Sequence, residues 1–117
     1  MPGSQREHDS APIDAEAIGA ISQGNRAISR RLLSVFRTAH VADAAALDRA
    51  LERRDMIAVA SAAHRVVGAC KMAGATRLAA ICTNLAQASE AGDWDAVAAQ
   101  RAALRFELQR VGTYLDD

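Results

Sequence analysis

His64 stands in the segment Ala63-His64-Arg65-Val66-Val67-Gly68-Ala69, where apolar residues recur at helical spacing. On a wheel of about 100° per residue, Val59, Ala62, Val66, Ala69, Cys70 and Ala73 fall opposite the histidine and form the stripe that packs inward. Ile57, Ala60, Ser61, Val67, Gly68 and Lys71 share the outward sector with it. A histidine alone on a helix is most often a surface passenger, but these neighbours point to chemistry. Gly68 follows one turn later, and glycine inside a helix costs about 1 kcal/mol relative to alanine. In a chain with 28 alanines that cost asks for a reason. Leaving out the side chain at i+4 bares the imidazole to a bulky partner. Ile57, Ala60 and Val67 give the opening an apolar rim where a purely solvated face carries charge. Lys71, the only lysine, lies two turns along and is placed to meet an anion on the histidine. A neutral imidazole is a nucleophile near pH 7 without a dedicated base. Together these residues describe a docking site for chemistry done by a partner.

The elements that position His64 follow from length and composition. A chain of 117 residues makes one domain of ordinary size. Fourteen basic side chains balance fourteen acidic ones, so no net field draws the chain to nucleic acid or to an anionic membrane, and neither is expected as a partner. Half of the residues are hydrophobic but only 3% are aromatic, and short alanine side chains suit close-packed helices better than a β-sandwich. No run approaches the roughly 18 apolar residues of a membrane span, and the opening residues lack the apolar stretch of a secretory leader. Cys70 and Cys82 have neither CxxC nor Cys/His spacing, so no disulfide framework and no metal site is expected; both read as buried packing residues in a cytoplasmic protein.

Residues 1–12 hold both prolines and mixed charge without period, which reads as a disordered lead-in or linker; 13–117 read as one helical bundle. Asp14 caps a short helix through about Ser22. Asn25 caps a long one from Arg26 to about Arg53, with a weak point expected over 38–43. Asp55 caps a helix to about Met72, and Ala73-Gly74-Ala75 links it tightly to another over Thr76–Ala91. Gly92-Asp93 ends that helix and starts a last one from Trp94 to about Tyr114. Such short links force neighbours antiparallel, giving an all-α, up-down four-helix bundle with a short additional N-terminal helix.

The motif around His64, followed by Gly74-Ala75, Leu78, Cys82 and Leu85, resembles the histidine-containing phosphotransfer (HPt) domain of bacterial two-component phosphorelays. Leu32-Leu33-Ser34-Val35-Phe36 and Ala91-Gly92-Asp93-Trp94 extend the likeness over about 13–115. The resemblance implies that His64 accepts the phosphoryl group and that Gly68 keeps it reachable. In that family a lysine usually stands three residues after the histidine. Here the position is Val67, and Lys71, one turn on, is the candidate for the missing charge.

Phosphoryl transfer rests mainly on positioning and charge neutralisation, and this chain has no Walker loop or Gly-rich kinase loop, so no kinase activity of its own is expected. By the resemblance the partner is a response-regulator receiver domain that brings its own aspartate and Mg2+. The lead-in favours a module tethered to the kinase and receiver parts of a hybrid sensor kinase over a free-standing protein, and the chain is expected to be a monomer. The competing reading is a helical adaptor that binds a signalling partner through the His64 patch without chemistry. Thr83 and Gln87, across the hairpin, are expected to approach the ring. His8 falls in the lead-in and His40 is expected at the surface. Arg30-Arg31 and Arg53-Arg54 read as solvated faces, and Trp94 as a packing anchor.

Overall fold

The computed structural model describes residues 11–116. His8 and all of the expected lead-in except Ala11 and Pro12 lie outside the described residues. Five helices follow in order: α1 (Ala15–Ser22), α2 (Arg26–Glu52), α3 (Met56–Ala73), α4 (Thr76–Glu90) and α5 (Trp94–Asp116). Among the described residues there is no strand.

Capping chemistry sets most of the boundaries. Asp14, Asn25, Asp55 and Asp93 each accept a backbone N–H of the following first turn, from Glu16, Ile28, Ala58 and Ala96 at 2.9–3.1 Å. Ile13, just before the first cap, and Ile18 are both buried, as expected of a hydrophobic staple across a helix start. Only α4 begins without a side-chain cap. Its start is fixed by Gly74, whose φ of +68° closes α3 in a left-handed turn. A Cβ at Gly74 would stand 2.6 Å from that of Asp14 and 3.0 Å from that of Ala17, so glycine is required there both by backbone conformation and by the approach of α1.

α2 to α5 form an antiparallel ring in which α3 against α4 is the most extensive contact and α2 against α5 closes the circuit. Leu47, Val59, Leu78, Cys82, Leu85, Val97 and Val111 are fully buried between them. At roughly 1.5–3 kcal/mol for each large aliphatic side chain, this burial holds together helices that would be marginal alone in water.

α2 runs unbroken through 38–43. His40, expected at the surface, is instead buried: its Nε2–H donates to the carbonyl of Leu108 on α5 at 3.0 Å, and its ring lies 6.1 Å from that of Phe36. That bond gives the imidazole a partner inside the fold and offsets the cost of taking it out of water. Trp94 is half-buried against the core, and the Arg54 guanidinium lies 4.5 Å from its ring centroid, so Arg54 is a stacking group as well as a solvated one.

Candidate functional site

α3 carries the motif on a helix buried along one side by α2 and α4. His64 is exposed, and Val59, Ala62, Val66, Cys70 and Ala73 are buried behind it, as the wheel requires. Gly68 is exposed, and a Cβ there would meet nothing within 4 Å. The glycine therefore answers to no close helix contact, and its effect is to leave open ground beside the imidazole. Ile57 is 85% exposed, while Ser61 and Lys71 are exposed on the same flank.

The apolar rim is smaller than the wheel implies. Ala60 is only 8% exposed and Val67 is half-buried against the core. Both lie on the Ala63 side of the wheel. The extensive contact of α3 with α4 accounts for this, since a short methyl on that side sinks beneath the seam.

Across the hairpin the ring forms no hydrogen bond with Thr83 or Gln87. The Thr83 hydroxyl donates to the carbonyl of Ala79 at 2.8 Å, within its own helix, and Gln87 makes no hydrogen bond to the ring. The contact comes from Glu90, the last residue of α4: its Oε2 accepts from His64 Nε2 at 2.9 Å. Side chains on a helix lean toward its N-terminus. In an antiparallel hairpin, His64 therefore leans away from the Gly74 turn and Glu90 leans back toward it, so the two converge. Thr83 starts nearer the turn and leans farther from the ring. The direction of lean, read together with the position of the turn, is the sequence signal that could have found Glu90.

Arg65 is turned aside from the histidine, with its Nε 3.7 Å from Asp43 of α2 and its Nη1 donating to Ser61 Oγ at 3.2 Å. Lys71 forms no ion pair among the described residues. Behind the face, Cys70 and Cys82 are buried and free, as expected. Burial pushes both thiols up to about 12; the charges of Asp43 and Glu107 add to this at Cys70, and Cys70 itself adds at Cys82. Protonated thiols of this kind are poor nucleophiles. Glu107 is a residue that the sequence pattern alone does not single out: it is 1% exposed on α5 and held by Arg110 at 2.9 Å, one turn on. Its spacing from Leu104 and Val111 places it on their buried stripe.

Among the described residues, no group of three or more His, Cys, Asp or Glu side chains is arranged to hold a metal, and no helix is long and apolar enough to cross a membrane. Comparison with protein families finds a match to the Hpt domain over residues 31–114. The chain belongs to the Hpt domain family. The helical bundle is this family's architecture, and histidine phosphotransfer in two-component signalling is its function; Hpt domains work with response-regulator receiver domains. No curated protein and no solved structure matches the chain. The Hpt match begins inside α2, so α1 lies beyond it, although α1 is seated on Gly74 of the motif hairpin.

Proposed function

We propose that this Hpt domain is a phosphorelay intermediate that exchanges a phosphoryl group between His64 and the aspartate of a receiver domain. The observation that carries the proposal is the exposed imidazole on α3 beside the open ground at Gly68. In the accepting step, the lone pair of one ring nitrogen attacks the phosphorus of the receiver's aspartyl phosphate. The N–P bond forms as the P–O bond breaks, and the aspartate leaves as carboxylate with the bonding pair. The return step is the reverse.

Nε2 is the nitrogen at the tip of the ring and hence the one a partner reaches, yet it donates to Glu90. The carboxylate has to turn aside, and the attacking tautomer carries its proton on Nδ1. Both side chains are more than half exposed, and such pairs are worth about 0–1 kcal/mol, so Glu90 is a displaceable cover. Lys71 supplies positive charge along the same flank, where Val67 stands in the family's usual lysine position. Ile57 and Ser61 offer docking surface. The metal is expected in the receiver, as Mg2+. In this reading the chain acts as a cytoplasmic monomer, tethered to the kinase and receiver modules of a hybrid sensor kinase. The adaptor reading loses support because Ala60 and Val67 are withdrawn from the surface, leaving Ile57 as the exposed apolar group of the patch.

Incubation with a phosphorylated receiver tests the proposal. Label should pass to the chain, prove acid-labile and alkali-stable, and map to the peptide containing His64. A chain that takes no label, or takes it elsewhere, overturns the reading.

A further inference from the structure

The formal charge of the chain is zero, but near the end of α2 its charges are sorted. The acids on one side of the helix are engaged by α5: Glu52 pairs with Arg101 at 2.9 Å, and Asp48 lies 3.9 Å from Arg105. The arginines on the other side, Arg49 and Arg53, have no ion-pair partner among the described residues. They line a groove of about 190 Å3 between α2 and α3, which Arg65 and Ser61 border from the α3 side. Asp55 also lines it, but its Oδ1 accepts the N–H of Ala58 as the α3 cap. The groove thus presents two guanidiniums without an ion-pair partner among the described residues, Arg49 and Arg53, beside one carboxylate engaged as a cap. Asp43, at 3.7 Å, pairs with Arg65.

This basic groove opens beside the histidine. Ser61 belongs to the His64 flank and to the groove lining at once, and its hydroxyl accepts from Arg65. Resting on the proposed exchange with a receiver, we infer that the α2–α3 groove is a second docking contact, which takes an acidic element of the receiver surface. A partner that presents a phosphorylated aspartate and a Mg2+ site approaches this flank rich in oxygen ligands, chiefly carboxylates. Guanidiniums with open donors complement that surface in charge and in geometry. Contacts of this type set the rate of encounter and the choice of partner more than the chemical step.

The test compares transfer from a phosphorylated receiver, over a range of receiver concentrations, for wild type, the double variant Arg49→Glu/Arg53→Glu, and a control reversal of the same size on the same helix, Arg30→Glu/Arg31→Glu. All four arginines are exposed, and melting curves check that the variants are folded. For the groove variant, KM is expected to rise about tenfold or more at low salt, with kcat within about twofold and the difference shrinking at high salt. The control should stay within about twofold of wild type in both constants. An unchanged KM in the groove variant, or an equal rise in the control, overturns the groove while leaving phosphotransfer at His64 intact. Wild type that accepts no label removes the underlying reading and the groove with it.

Discussion

The two described histidines occupy opposite kinds of place. His64 stands on the outer flank of the α3–α4 hairpin with open ground at Gly68 and an exposed carboxylate, Glu90, as its partner. His40 lies in the α2–α5 seam, against Phe36, and donates to a main-chain carbonyl that no side-chain rotation can remove. The same imidazole is thus available for exchange in one setting and built into the framework in the other. The contrast shows that the chemistry of a histidine here is set by how readily its hydrogen-bond partner can be displaced and by whether a bulky group can reach it.

Three sets of variants break or sharpen this contrast. The largest effect is expected from exchanging roles: His64→Gln should take no label at all while moving stability by no more than about 0.5 kcal/mol, because an exposed side chain leaves no cavity. His40→Ala should do the converse, keeping label acceptance but losing about 1–3 kcal/mol in denaturant unfolding, through a lost bond and a cavity. A His64→Gln protein that melts far below wild type, or a His40→Ala protein as stable as wild type, would erase the distinction.

A smaller effect concerns the cover. Glu90→Ala removes a carboxylate that competes for Nε2 and repels the arriving phosphoryl group, so acceptance should quicken by up to about fivefold, the rate equivalent of an exposed pair worth up to 1 kcal/mol. Initial rates of labelling measure this directly, and a slower variant would make Glu90 an aid to the ring instead of a cover.

The smallest effect is at Gly68. With nothing within 4 Å of the place an added methyl would take, Gly68→Ala should stabilise α3 by up to about 1 kcal/mol and leave transfer nearly unchanged. Gly68→Arg should also fold but cover the ring and suppress labelling. Thermal melts beside labelling rates decide it: a Gly68→Arg protein labelled like wild type would show that access at this position does not matter.

Much of the architecture was legible because it is written locally. Asp14, Asn25, Asp55 and Asp93 each sit where a helix must start, and each accepts the backbone N–H that a cap should. The exposure of His64 and the burial of Val59, Ala62 and Val66 followed from a single helical wheel. What a wheel cannot show is how deeply a neighbouring helix settles on either flank, and for that reason Ala60 and Val67 belong more to the α3–α4 seam than to the rim. The partner of His64 depended on the lean of side chains from two helices, a relation between elements instead of a property of either. His40 and Glu107 were missed for a related reason. Polar residues on a buried stripe are read as exposed until the group that satisfies them, the Leu108 carbonyl or Arg110, is in view.

The seat of α1 on the Gly74 turn bears on how this bundle would be carried by a larger assembly. Ala11, Ile13, Asp14 and Ala15 share one cavity of about 330 Å3 with Gly74, Thr76 and Tyr114, so the start of the described chain and the last turns of α5 meet at the same pole. His64 lies about 15 Å from that pole along α3, at the helical rise of 1.5 Å per residue. A neighbour fused at either end would therefore grip the bundle by one tip, as a stalk holds a bud, and leave the transfer flank facing outward. On a flexible stalk the arrangement sets an effective concentration: the length of the tether, together with the contacts of the face, would govern how often His64 meets a receiver held on the same chain.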